Sequence, residues 1–428
     1  MTYFFETYGC QMNSAESAAL VVVLKEHGWV PADSGEQADL VLINTCAVRA
    51  TAEQRALGRI AHYAALKKSR TFSLIVAGCM ASRLGRKIGA DFVLGTHERN
   101  RFPAILESIK AGTHSIETDE KPVFSFSPLH LEEGKSRAFV PIMHGCSNFC
   151  TYCIVPYVRG PEIARDPDSI YEEIRILGDR GVREIVLLGQ NVNSYRWEAV
   201  DFPALLEKSV GAIQGTGIRW IRFLSANPAD VSPRTIEVLQ EYPVFCRHLH
   251  LPFQSGSSRI LAAMNRRYNR QQYLDLIASI RNALPDITFS ADILVGFPGE
   301  TEADFAETVS LMEEVHFLLS FMYHYNPREG TKAFDLPDRV PDPVKLERLD
   351  RVITLQKQHT QTLLHGRIGA TVPVLIEGIS RKNTGELLCH TEHEEMVVVP
   401  GSPASVNSFA TLKLSGLRGN TFYADYVP

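Results

Sequence analysis

The side chains in this sequence best suited to chemistry are its cysteines. Eight are present, and six of them fall into two sets. Cys146, Cys150 and Cys153 lie within GCSNFCTYC, a C-x3-C-x2-C spacing. Three thiolates this close can each bind one iron of a [4Fe-4S] cube, leaving the fourth iron without a protein ligand and open to a substrate. The competing assignment is zinc with His144 as fourth ligand. Structural zinc sites usually carry paired Cys-x2-Cys or Cys-x2-His knuckles, and here only Cys150 and Cys153 have that spacing. Cys10, Cys46 and Cys79 are spread along the N-terminal region. Cys246 and Cys389 stand alone and read as small buried hydrophobes.

The pattern around the three early cysteines says what could bring them together. Each follows a short apolar stretch and precedes a helical one. TYFFETYG, ADLVLINT and FSLIVAG read as strands, and SAESAALVVVLKEHG and TAEQRALGRIAHYAALKKS as helices. Asn13 with Glu16 three residues on resembles a capping box and predicts a helix start there. ADFVLGT adds a fourth strand. Strands alternating with helices imply an α/β fold, a doubly wound parallel sheet whose βα turns share one edge. Ligands of open α/β sheets bind at that carboxyl edge, so the three cysteines would meet there as a second thiolate set. The alternative is three unrelated buried cysteines.

From 138 to 335 the alternation continues, with predicted strands at 138–144, 184–190, 218–225, 246–253, 286–296 and 317–325. Between them SIYEEIRILGDRG, SPRTIEVLQEY, RQQYLDLIASIRNAL and TEADFAETVSLMEEV carry apolar residues at helical spacing. Too few units are present to close an eight-stranded barrel, so a partial (β/α)6 barrel is expected, with its chemistry at the carboxyl ends of the strands. His144, Gln190 to Asn193, Asn227, Gln254 to Ser257 and Gly296 to Glu300 fall at such ends. Gly296, Pro298 and Gly299 serve equally well as turn residues.

The C-x3-C-x2-C motif, with the aromatic Tyr152 before its third cysteine, resembles the signature of the radical S-adenosylmethionine superfamily. Further motifs resemble the methylthiotransferase family over nearly the whole chain: TYGCQMN around Cys10, NTCAVR around Cys46, AGCMAS around Cys79, CTYCIVPYVRG at 150–160, LLGQNVNSY at 187–195, HLPFQSGS at 250–257 and LVGFPGET at 294–301. Gln11-Met12-Asn13 and Gly189 to Asn193 resemble the tRNA-modifying, MiaB-like branch rather than the branch acting on a ribosomal protein.

This resemblance implies two [4Fe-4S] clusters, one on Cys146, Cys150 and Cys153 and one on Cys10, Cys46 and Cys79. It implies S-adenosyl-L-methionine as cofactor, held with the help of Tyr152, Gln190, Asn191 and Gln254. The first cluster would cleave S-adenosylmethionine to a radical that takes hydrogen from carbon 2 of adenine, a C–H bond too weakly acidic for a general base. The second would hold sulfur, accept a methyl group and deliver the methylthio group. Implied partners are tRNA and an electron donor such as flavodoxin or ferredoxin. The implied substrate is N6-isopentenyladenosine next to the anticodon. Threonylcarbamoyladenosine, a protein substrate, or a non-catalytic iron–sulfur scaffold that binds RNA are the alternatives. Two departures from the family pattern bear on the substrate: Pro161 stands where an arginine is usual, and Asn227 where a histidine is expected.

From 365 onward the pattern changes to short strands, VPVLIEG, ELLCHT, EMVVVPG, FATLKLSGL and TFYADYV, which predict a small antiparallel β-barrel. By position and pattern it resembles the TRAM domain, an RNA-binding barrel. It is slightly more acidic than basic and lacks the usual electrostatic footprint of RNA binding. Lys67-Lys68-Arg70, Arg83-Arg86-Lys87 and Arg266-Arg267-Arg270 read as solvated helix faces. The net charge of −5 does not exclude tRNA, because local patches steer better than averages. Three domains follow, at 1–117, 132–362 and 365–428, with linkers near 113–136 and 336–352. With 45% hydrophobic residues, no long apolar run and no signal-like start, the sequence predicts a cytoplasmic monomer without a membrane segment.

Overall fold

Apolar runs without alternation, LVLINT and SLIVAG, form strands buried along their whole length, as central strands of a parallel sheet covered on both faces must be. The computed structural model describes residues 1–48, 50–113, 124–132 and 134–427, and not the side chains of Ala50, Arg86 and Pro403. Residues 114–123 and 133 of the linker expected near 113–136 therefore lie outside the described residues, as does Arg49 of the NTCAVR motif. The chain divides into two compact units. One comprises Met1–Glu133, Phe139–Ser147 and Cys153–Arg165; the other comprises Gly134–Ala138, Asn148–Tyr152 and Asp166–Pro428.

In the first unit β1 (Thr2–Thr7), β2 (Val30–Pro31), β3 (Leu40–Thr45), β4 (Ser73–Gly78) and β5 (Phe92–Leu94) pair in parallel in the order β2-β1-β3-β4-β5. The helices are α1 (Gln11–Glu26), α2 (Ala50–Leu66), α3 (Cys79–Leu84) and α4 (Phe102–Lys110). Leu20 and Leu24 of α1 and Ile105 and Leu106 of α4 join Leu40, Leu42 and Ile75 in one core. Ala56, Ile60 and Tyr63 of α2 and Met80 of α3 join Val41, Ile43 and Val76 in another. Side chains alternate across each strand, so these two cores lie on opposite faces, and the sheet is doubly wound as expected.

One expectation is corrected here. Helix α1 begins at Gln11 with Cys10 as its N-cap, not at Asn13. The Asn13 amide reaches Asn44 Oδ1 at 3.1 Å and the Thr45 carbonyl at 3.0 Å, while its Oδ1 accepts from Cys10 Sγ at 3.3 Å. Asn13 thus ties the first helical turn to the end of β3, which leaves the capping position to the cysteine.

β6 (Arg137–Pro141) passes from the second unit into the first, where β7 (Met143–His144) pairs with β8 (Ile163–Ala164) and α5 (Val155–Arg159) lies between them in sequence. In the second unit come β9 (Glu184–Leu188), the ribbon of β10 (Arg196–Trp197) and β11 (Val200–Asp201), β12 (Trp220–Phe223), β13 (His248–His250), β14 (Thr288–Val295) and β15 (Leu319–His324). They alternate with α6 (Pro167–Asp179), α7 (Phe202–Ala212), α8 (Pro233–Glu241), α9 (Ser258–Ala263), α10 (Arg270–Ala283) and α11 (Glu302–Val315). Asp166, Asp201, Ser232, Ser257, Asn269 and Thr301 cap these helices in turn by accepting a first-turn amide. The strands run in two sheets, β12-β9-β6 and β13-β14-β15, joined by a parallel bridge between Ile221 and Phe245. Every strand expected between 138 and 325 is present, and the barrel is partial.

Helix α12 (Asp342–His365) leads into β16 (Thr371–Ile379), β17 (Glu386–Thr391), β18 (Met396–Pro400), β19 (Ser408–Arg418) and β20 (Thr421–Tyr426), a closed barrel in the order β16-β17-β18-β20-β19. The antiparallel expectation needs one correction. β18 and β20 pair in parallel, because the chain crosses β19 before returning to close the barrel. Cys389 sits in this barrel's core and Cys246 packs on Trp220 and Leu375; both are the buried small residues they were read as. The barrel is fastened to β9 and β12 by charge. Buried Glu184 accepts from Arg222 and His390, and Arg222 also donates to the carbonyls of Thr391 and Glu392 at 2.9 and 2.6 Å. Among the described residues no helix is long and apolar enough to cross a membrane.

Candidate active site

The three early cysteines sit where the parallel sheet puts them. Cys10 caps α1 after β1, Cys46 follows β3 and Cys79 opens α3 after β4. A parallel sheet sends all its βα turns to one edge. The thiols of Cys10 and Cys46 share a hydrogen bond, which lowers Cys10 to about 6 against the effect of burial, with the charge of Arg159 pulling the same way. Cys79 is raised by its burial, and Arg159 opposes that rise. Arg159 Nε lies 3.2 Å from Cys79 Sγ.

That guanidinium arrives on α5, whose Ile154 and Val158 pack on Ala47 and Cys79. It also donates to Glu16 Oε1 at 2.7 Å and Oε2 at 3.3 Å, and Arg99 pairs with the same carboxylate. Burial raises the Glu16 carboxyl, but the two arginines overcome it and hold it at about 2. His144 Nδ1 takes Arg159 Nη1 at 3.3 Å, and burial together with the positive charge of Arg159 pushes this ring down to about 2. His144 is therefore a neutral acceptor beside Arg159.

Among the described residues no group of three or more His, Cys, Asp or Glu side chains is set to hold a single metal ion. A cube asks for something different, since each sulfur takes its own iron. The donor chemistry fits such a cluster: an easily ionised thiol, two more thiols at the same edge, and a cation to offset thiolate charge.

In the C-x3-C-x2-C set Cys150 is buried while Cys146 and Cys153 are half-buried. The Cys146 amide donates to the Gly160 carbonyl at 3.1 Å. In the other unit Arg266 approaches Cys150 Sγ at 3.5 Å and anchors on the Pro252 carbonyl at 3.1 Å. This corrects the reading of Arg266 as part of a solvated face: its guanidinium is tied down by these contacts and by the Tyr268 hydroxyl at 3.0 Å. Arg267 does stay exposed, reaching Asn148 and Asp230. Tyr152 packs against Ile260, Met264, Phe297 and Tyr325. The Thr151 amide and carbonyl are fixed by Met264 and Ala333 at 3.0 and 2.7 Å, which holds the loop in place.

The polar residues expected to hold S-adenosylmethionine lie at strand ends of the second unit. Gln190 and Asn191 follow β9. Asn191 is buried and donates to Asp230 Oδ2 at 2.8 Å, while its Oδ1 and both polar atoms of Asn193 are buried without a hydrogen-bond partner. Orphaned buried polar atoms are costly, and these three are free to receive the amino and carboxylate groups of a ligand. Gln254 adopts a left-handed φ of 65°, its backbone N–H donating to the Asp292 carbonyl at 3.0 Å and its backbone carbonyl accepting from the Leu294 N–H at 2.8 Å. Asn227 caps the turn Pro228–Asp230, which holds the partner of Asn191. Gly296 and Gly299 both have positive φ and act as the turn residues they resemble.

Sequence reasoning missed Glu16, Arg99 and Arg159 as a charge group, and it missed the glycines that precede the cysteines. Gly78 has φ of +95°, and a Cβ there would come 2.4 Å from both Asn44 Oδ1 and Thr45 O. Gly145 has φ of +80°, with Pro161 O only 1.9 Å from a Cβ. The signal was present as a recurring Gly-Cys pair at 9–10, 78–79 and 145–146.

Residues 140–312 match the radical SAM superfamily and residues 2–95 match the uncharacterized protein family UPF0004. Among solved structures, the radical S-adenosylmethionine methyltransferase TsrM from Kitasatospora setae shares the fold with a TM-score of 0.61 at 14% identity, covering 78% of this chain and 77% of its own. The radical enzyme OxsB aligns with a TM-score of 0.53 at 10% identity, covering 83% of this chain and 56% of its own. A curated relative from Treponema denticola, a tRNA-2-methylthio-N(6)-dimethylallyladenosine synthase, is 48% identical over 99% of this chain and 100% of its own length. One of the same description from Trichlorobacter lovleyi is 41% identical over 96% of both. Resemblance of this depth from end to end, on a fold carrying both cysteine sets, means that the chain belongs to the MiaB-type tRNA-2-methylthio-N6-dimethylallyladenosine synthases, radical S-adenosylmethionine enzymes.

Proposed function

We propose that this protein adds a methylthio group to carbon 2 of N6-isopentenyladenosine beside the tRNA anticodon, using two [4Fe-4S] clusters and S-adenosylmethionine. The observation that carries the proposal is the pair of cysteine sets, one gathered at the carboxyl edge of a sheet and one in a C-x3-C-x2-C loop. The substrate is supported by the relatives that are tRNA-2-methylthio-N(6)-dimethylallyladenosine synthases. When bound, the clusters and S-adenosylmethionine supply radical chemistry and sulfur, which acid–base groups cannot bring to an aromatic C–H bond.

The protein's own groups then have distinct tasks. Cys146, Cys150 and Cys153 ligate one cluster, and Arg266 donates toward Cys150, tempering the charge on that sulfur. Cys10, Cys46 and Cys79 ligate the other. Gln190, Asn191 and Gln254 orient the amino and carboxylate ends of S-adenosylmethionine, and Tyr152 wedges the loop against the barrel core. The modules at 1–117, 132–362 and 365–428 divide sulfur handling, radical generation and, in the TRAM-like barrel, the grip on tRNA. The enzyme works in the cytoplasm as a monomer, with a flavodoxin or ferredoxin as electron donor.

The test is mass spectrometry of nucleosides from tRNA incubated anaerobically with reconstituted protein, dithionite and S-adenosylmethionine. Isopentenylated and threonylcarbamoylated substrates are compared side by side. A methylthio adduct on the isopentenylated adenosine is expected. An adduct only on the other substrate overturns the substrate assignment, and absence of both the adduct and 5′-deoxyadenosine overturns the enzyme reading.

A further inference from the structure

Beside Cys79 the buried Arg159 and the half-buried Arg99 share a single buried carboxylate, Glu16. Arg159 is 2% exposed and Glu16 1%. Both Arg159 and Arg99 pair with the Glu16 carboxylate, so one anion serves two guanidiniums. Burying a charge without a counter-charge is strongly unfavourable. Among the described residues the other side chains on Arg159 are His144, whose Nδ1 lies 3.3 Å from Nη1, and Cys79, whose Sγ lies 3.2 Å from Nε. The surplus cation thus faces sulfur. A [4Fe-4S]2+ core with three thiolates carries a net charge of −1, the charge this trio lacks.

We propose that Arg159 is a positioning residue for the Cys10, Cys46 and Cys79 set: it neutralises the anionic cluster held there and, by its hydrogen bond to Cys79, raises that cluster's reduction potential. Hydrogen bonds to sulfur and local charge are the protein's levers on such potentials. The inference rests on reading those three cysteines as cluster ligands. It also gives α5 a purpose, since the segment that begins at Cys153 of one set carries the arginine that serves the other.

The experiment uses the full chain with Cys146, Cys150 and Cys153 replaced by alanine, so that only Cys10, Cys46 and Cys79 can take iron. After anaerobic reconstitution with iron and sulfide, the cluster is titrated with dithionite and followed by electron paramagnetic resonance. Arg159→Gln is expected to lower the ratio of reduced to oxidised cluster at a fixed potential by about tenfold, ~59 mV for a one-electron couple. Arg159→Lys stays nearest the parent, and Glu16→Gln, which keeps hydrogen bonds but drops the negative charge, shifts the ratio the other way. A purely structural role would cost all variants iron without opposed shifts.

Unchanged potentials in Arg159→Gln and Glu16→Gln, with clusters formed, overturn the proposal. Should Arg159→Gln take no iron, Arg99→Gln carries the same test, and a potential that does not fall there overturns it. Failure of the parent, which retains Arg159, to bind a cluster overturns the ligand reading itself and the proposal with it.

Discussion

Cys146, Cys150 and Cys153 lie within eight residues of one another in sequence, whereas Cys10, Cys46 and Cys79 share an edge only because β1, β3 and β4 run parallel. The local set needs little more than a fixed loop: Thr151 and Asn265 pin its backbone, and Arg266 reaches Cys150. The dispersed set has Cys46 and Cys79 buried and Cys10 half-buried, and its surroundings carry an ionic trio that no single segment supplies, with Glu16 on α1, Arg99 ahead of α4 and Arg159 on α5. A site built by spacing survives small changes in the fold. A site built by topology inherits the stability of the whole sheet and can be tuned by groups far away in sequence.

The sharpest way to break the comparison is to remove one thiolate from each set. Cys150→Ala and Cys79→Ala should both reduce methylthio transfer by at least about a thousandfold. Only Cys150→Ala should also abolish 5′-deoxyadenosine formation, measured by chromatography of the quenched reaction. Loss of that product in both variants would merge the two roles.

Next in size is the ionic trio. Glu16→Ala leaves the buried Arg159 and the half-buried Arg99 without their carboxylate and should cost about 3–5 kcal/mol, read by denaturant unfolding. A cost below about 1 kcal/mol would mean that water or another anion replaces the carboxylate readily.

The same carboxylate predicts an acid sensitivity. Its folded value of about 2 lies below the ordinary 4.5. The stabilisation is therefore complete above pH 4.5 and is lost as pH falls from 4.5 toward 2, by about 3 kcal/mol. Stability profiles of the parent and of Glu16→Ala should converge across that window. Parallel profiles would show that other groups govern acid unfolding.

The smallest effects belong to the glycines. Gly78→Ala and Gly145→Ala force a Cβ against backbone oxygens and should each cost about 1–3 kcal/mol. Iron analysis should show Gly78→Ala losing the cluster of Cys10, Cys46 and Cys79 and Gly145→Ala that of Cys146, Cys150 and Cys153. If either variant loses both, the two sets are coupled more tightly than their construction suggests.

Much of the site was legible in the chain. Periodicity alone places β3, β4 and the barrel strands, because buried parallel strands need unbroken apolar runs and amphipathic helices need a repeat of three to four. The C-x3-C-x2-C loop is readable for the same local reason. Asn13 was misread because Asn followed by Glu three residues later also describes a capping box, and only the position of Asn44 decides that the asparagine binds across to β3. Arg266 was misread because a run of arginines looks solvated until Pro252 and Cys150 fold against it. The parallel closure of β18 on β20 is a matter of strand order, which short-range pattern does not encode.

The sequence by itself determined which atoms could bind iron and which segments would be strand or helix, since both depend on residue type and short-range spacing. Only the tertiary structure decided that Arg159 and Arg99 pair with the one carboxylate of Glu16 beside Cys79. Electrostatic coupling depends on distance and burial, and for residues this far apart along the chain both are fixed by how the sheet and α5 pack.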